Sequence, residues 1–138
     1  LWSGGDAAAG SGSAKLAVRD AYVREPANPA EAAAYFRVDN SGRADDTLTA
    51  VSASTGRASL HASNGPKMVT LATAPVPARG SLDFSPGANH VMIDDPGPLK
   101  PGATVRLTLR FAKSAPITVD APVIAIGAAA PGADEGGA

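Results

Sequence analysis

Cysteine is absent from all 138 residues. That excludes disulfides, cysteine-based zinc and iron–sulfur sites, thiol nucleophiles, and a blue-copper electron-transfer centre, which takes a thiolate ligand. Aromatic residues make up only 4% of the chain, so a modest, mainly aliphatic core is expected beneath a soluble surface. Charge of one sign is also lacking. Twelve basic and thirteen acidic residues leave a net charge of −1 and are interspersed, which gives neither a nucleic-acid footprint nor a polybasic membrane anchor. No apolar run approaches the roughly 20 residues that span a bilayer. No nucleophile elbow, phosphate loop or His-Glu-x-x-His motif is present, so catalysis is not expected.

What the chain does have is a single domain's length, bracketed by small-residue segments. Residues 1–14 (LWSGGDAAAGSGSA) read as a flexible leader or tether, of the kind that links an exported domain to an upstream membrane anchor. Residues 127–138 (GAAAPGADEGGA) read as a disordered tail. Between them, residues 15–126 form short β-prone segments separated by turn formers such as Asn40–Gly42, Asn64–Gly65, Pro86–Gly87 and Pro96–Gly102. An antiparallel all-β sandwich or barrel is expected. Strands are predicted at 16–24, 33–39, 47–54, 59–63, 67–72, 81–84, 90–93, 105–111 and 117–123. The plainest is the last but one, where Val105, Leu107, Leu109 and Phe111 alternate with Arg106, Thr108 and Arg110.

Both histidines and both methionines, His61, Met68, His90 and Met92, fall between positions 61 and 92. Four independent placements would fall in one preselected window of that size with a probability of about 0.003. Two imidazoles and two thioethers are borderline and soft donors, suited to Cu(I) rather than to Mg²⁺ or Ca²⁺. His90 and Met92 are two apart, so on a strand they share a face and Val91 and Ile93 take the other. Asn64–Gly65 is the best two-residue hairpin signal in the chain. A turn there would set His61 directly opposite Met68 and Leu60 opposite Val69, although Pro66 lacks the N–H that closes such a turn and leaves a wider loop open. In either case all four donors leave the face opposite the core.

These residues resemble the PCuAC family of extracytoplasmic copper chaperones. The family pattern is a His, a Met, twenty-one residues, then His-x-Met. Here Val69 to Asn89 supplies the twenty-one residues and His90-Val91-Met92 completes the pattern. Ala33-Ala34-Tyr35-Phe36, Asn40-Ser41-Gly42, Leu60-His61, Pro77-Ala78-Arg79-Gly80 and Leu99-Lys100-Pro101-Gly102 match as well, and the likeness spans roughly residues 17–123. One departure is the first His, which in the family stands about ten residues before its Met and is often followed by another Met. Only six residues separate His61 from Met68, with no sulfur among them.

The resemblance implies a cupredoxin-like Greek-key β-sandwich or barrel and a His61, Met68, His90, Met92 site for one Cu(I), with Cu(II) bound less well. It further implies a protein outside the cytoplasm, handing copper to a Sco-type protein or to the copper subunit of cytochrome c oxidase, and a monomer is expected. Two other readings of the residues remain: a β-sandwich interaction module with no metal role, and a copper storage or resistance protein.

Overall fold

The computed structural model describes residues 13–28, 30–64 and 67–129. The predicted leader up to residue 12, the tail from residue 130, and Gly65 and Pro66 of the predicted turn lie outside the described residues.

Ten strands follow one another: β1 Leu16–Arg24, β2 Glu31–Asn40, β3 Asp46–Ala53, β4 Arg57–Asn64, β5 Lys67–Leu71, β6 Ala74–Val76, β7 Ser81–Phe84, β8 His90–Asp94, β9 Thr104–Phe111 and β10 Ile117–Ile124. Alternation decides what each strand buries. Val105, Leu107, Leu109 and Phe111 of β9 are buried, and so are Ala32, Ala34, Phe36 and Val38 of β2 and Val91 and Ile93 of β8. Truncating a buried leucine such as Leu107 or Leu109 would cost about 2–5 kcal/mol.

The strand order is β5-β4-β8-β2-β1-β10-β9-β3-β6, with β7 also pairing with β2. The pairs are antiparallel except β1 with β10, whose parallel seam joins the two halves of the sheet. Chain neighbours β3 and β4 come from distant parts of this order and lie against each other, so the sheet curls into a nearly closed, cupredoxin-like barrel around one core. The β3–β4 corner needs Gly56, whose φ is +74°. A Cβ there would lie 2.5 Å from the Asp94 carbonyl oxygen and 2.7 Å from Ile93 Cγ2.

β6 was not among the strands expected from sequence. It is three residues long and carries Pro75, which has no N–H to donate. It pairs with β3 at the edge of the strand order, where a proline is tolerated.

A bulge in β1 shapes the outer face. Arg19 pairs with Arg37 but Tyr22 with Tyr35, so one residue is added between them, and Asp20 takes a φ of +57°. Core-facing positions therefore change from Leu16 and Val18 to Ala21 and Val23. Tyr22 and Arg24 turn to the side of Tyr35 and Ala33, with the two tyrosine rings 5.1 Å apart and the Arg24 guanidinium over Tyr22. Burial raises the Tyr35 hydroxyl above its ordinary pKa, and Tyr22 adds to this against the opposing pull of Arg24.

Candidate metal centre

β7 and β8 lie in succession along β2. Ser81–Phe84 pairs with Phe36–Asp39, and Val91–Asp94 with Glu31–Ala34. Between them residues 85–89 form a turn that uses Gly87 at φ +84° and is closed by a β-bridge between Phe84 and Asn89. His90 is the first residue after this turn, and its Nδ1 lies 3.3 Å from the carbonyl oxygen of Ala88 within it. The turn therefore both places and orients the ring.

β4 pairs with β8 so that Leu60 faces Val91 in the core, while His61 faces His90 and Ser59 faces Met92 on the outer side. The two imidazoles stack with centroids 5.7 Å apart and planes within 15°. On the far side of β4, the β5 register is Ser63 with Met68, Ala62 with Val69 and His61 with Thr70. This corrects the hairpin expected from sequence. Asn64 pairs with Lys67 as a strand residue, so His61 and Met68 are diagonal rather than directly opposed. The shift is two residues, and a shift of two preserves parity. Met68 therefore still shares the outer face with His61.

Met68 is half exposed, yet its Sδ lies 2.9 Å from His90 Nε2, so the side chain reaches across β4 to the second histidine. His90 itself is only 9% exposed. Ser59 joins the group, with its Oγ 2.8 Å from His61 Nε2. The other nitrogen, His61 Nδ1, is buried and has no hydrogen-bond partner. Sequence reasoning did not single out Ser59. Its signal was only parity, two residues before His61 on the same strand face. Met92 shares that face one row away, between Ser59 of β4 and Ala33 of β2, and lines a recess of about 320 Å³ with Tyr35, Arg24, Glu31 and Ile126. The structure thus gathers His61, His90 and Met68, with Met92 beside them.

The donors fit a soft metal. Bonds of about 2.0 Å to nitrogen and 2.3 Å to sulfur at a tetrahedral angle put two donor atoms about 3.5 Å apart. His90 Nε2 and Met68 Sδ, 2.9 Å apart, are near that spacing. The buried, unpartnered His61 Nδ1 is a further nitrogen of the stacked pair. Among the described residues no three His, Cys, Asp or Glu side chains form a metal-holding group, so the cluster depends on its thioether sulfur.

The chain is similar to known proteins in sequence and in fold. The model of the LpqE-like lipoprotein family matches residues 16–123. The apo PCuAC domain from PmoF1 is 28% identical, with a TM-score of 0.69 over 80% of this chain and 94% of that one. The Cu(I) form of DR1885 from Deinococcus radiodurans is 26% identical, with a TM-score of 0.58 over 79% of this chain and 76% of that one. The copper-bound PCuAC domain from PmoF2, at 24% identity, shares the fold with a TM-score of 0.70 over 80% of this chain and 93% of that one. A comparison with curated protein sequences gives no match. The chain belongs to the LpqE-like lipoprotein family, and its fold is that of the PCuAC domains.

Proposed function

We propose that this protein is a copper carrier that binds one Cu(I) through His61, Met68, His90 and Met92 and passes it on by ligand exchange. The observation that carries the reading is the 2.9 Å approach of Met68 Sδ to His90 Nε2, beside the stacked ring of His61 on an outward-facing sheet. Cu(I) is d¹⁰ and accepts such a mixed nitrogen and sulfur set without a geometric penalty. Cu(II) prefers tetragonal nitrogen and oxygen donors and binds here with lower affinity. Thioethers are neutral and need lose no proton to ligate.

Delivery rather than storage is favoured by where the ligands sit. Met68 is on β5, at the edge of the strand order, and is half exposed, so an incoming ligand reaches the metal from that side and replaces the protein's donors one at a time. No bond to carbon, oxygen or phosphorus is made or broken, and the protein acts as a carrier rather than an enzyme. The lipoprotein family and the copper-binding neighbours support a place outside the cytoplasm, tethered to a membrane by a segment upstream. Among the described residues no helix is long and apolar enough to cross a membrane. The recipient we propose is a Sco-type protein or the copper subunit of cytochrome c oxidase, met by the protein as a monomer.

The test is transfer. Copper-loaded protein mixed with a copper-free recipient domain should lose its Cu(I) to that domain faster than to buffer containing a chelator of equal affinity. Equal rates would refute delivery and leave storage.

A further inference from the structure

We infer that Ser59 is a positioning residue for the metal centre, and that it makes His61 bind copper through Nδ1 while His90 binds through Nε2. The inference rests on the copper reading above and concerns which nitrogen of each ring is the donor.

A neutral imidazole has one N–H and one lone pair. In His90 the assignment follows from the Ala88 carbonyl, which can only accept. Nδ1 carries the proton toward it, and the Nε2 lone pair faces Met68 Sδ at 2.9 Å. His61 has the reverse arrangement. Its Nε2 is engaged by Ser59 Oγ at 2.8 Å, and its Nδ1 is buried without a partner.

Two tautomers of His61 are possible. If the Ser59 hydroxyl donates to Nε2, the ring proton sits on Nδ1 as a buried donor with nothing to accept it, and no metal can relieve it. If Nε2–H donates to Ser59 Oγ, Nδ1 is left with a free lone pair that a metal ion can satisfy, and its strand β4 lies between β5, which carries Met68, and β8, which carries His90. Only the second arrangement leaves both His61 nitrogens satisfied in the copper-loaded protein. Ligation through Nε2 would instead break the Ser59 hydrogen bond and keep the orphaned Nδ1–H. Ser59 therefore does for His61 what the Ala88 carbonyl does for His90: it takes the proton of the non-ligating nitrogen and sets the ring angle. The difference lies in reach, since a side-chain hydroxyl two residues back on the same strand face meets the far nitrogen, and a backbone oxygen in the preceding turn meets the near one.

With only two histidines in the chain, imidazole nitrogens can be assigned directly by long-range ¹H–¹⁵N correlation, and diamagnetic Cu(I) leaves them observable. The spectra are taken anaerobically with and without one equivalent of Cu(I), for the parent, Ser59→Ala and Ser59→Thr. The metal-free parent should carry its His61 proton on Nε2, and Cu(I) should shift His61 Nδ1 and His90 Nε2. Ser59→Ala should lose the tautomer preference and bind Cu(I) on the order of 10-fold more weakly, and Ser59→Thr should restore both. A Cu(I) shift at His61 Nε2, or a Ser59→Ala protein equal to the parent in tautomer and affinity, overturns the inference and leaves the copper reading standing. A parent that takes up no Cu(I) overturns both. The parent spectra decide the nitrogen assignment even if the alanine variant fails to fold.

Discussion

His61 and His90 stand directly opposite each other across the β4–β8 pair, their rings 5.7 Å apart and nearly parallel. Each must present a nitrogen lone pair to ligate, so protons compete with the metal for both rings. Cu(I) affinity should therefore fall as the solution is acidified, with protons released on binding in acid. A competition titration across pH checks this. A flat profile would mean that the histidines are not ligands.

The two methionines allow a simple assay. Met68 reaches His90, whereas Met92 sits one row away beside Ser59 and the Tyr35 recess. On adding Cu(I), both ε-methyl resonances should move and saturate together at one equivalent. Movement of the Met68 methyl alone would remove Met92 from the ligand set and leave a three-donor site.

Gly56 ties the β3–β4 corner to the metal face, because its position is bounded by Ile93 and the Asp94 carbonyl, next to Met92. Gly56→Ala adds both a strained positive φ and a clash against backbone. It should cost about 2 kcal/mol or more in denaturant unfolding and also weaken Cu(I) binding by displacing β8. Loss of stability with parent-like copper affinity would show that the corner and the site are uncoupled.

Asp46 anchors the opposite half of the barrel. Its carboxylate is buried, which by itself would raise its pKa. Hydrogen bonds from the Ser114 hydroxyl and from the backbone N–H groups of Thr47, Lys113 and Ser114 outweigh that and hold it below the ordinary value of 3.8. Because the folded-state value lies below the unfolded one, the stabilisation is complete above about pH 5 and is lost as pH falls through the depressed value. Asp46→Ala should cost about 3 kcal/mol near neutrality, measured by denaturant titration, and the gap to the parent should narrow below pH 4. A gap that does not change with pH would contradict the charge-based account.

Much of this fold was legible because its strands bury one face. β9 alternates strictly, and β8 separates His90 and Met92 from Val91 and Ile93 by parity alone. The shared outer face of the four donors followed from that parity and survived a two-residue error in the hairpin register. The error arose because Asn64–Gly65 is the stronger local turn signal, whereas the structure keeps Asn64 in the ladder. β6 was missed because Pro75 argues against a strand everywhere except at an edge. Opposition of His61 to His90 could not be read at all, since it depends on β4 meeting β8, a pairing across some thirty residues that no local propensity specifies. The hydrogen bond between Ser59 and His61 lies within β4 and had only their shared strand parity as its signal.

The claim that this face is a copper site is tested most directly by anaerobic Cu(I) competition with a chromogenic chelator, comparing the parent with His90→Ala and Met92→Ala. One equivalent should bind tightly to the parent, and the affinity should drop in both variants, by about 100-fold or more for His90→Ala. Negligible binding by the parent, or unchanged affinity in the variants, would contradict the account and leave a β-barrel interaction module whose histidines and methionines lie together by chance.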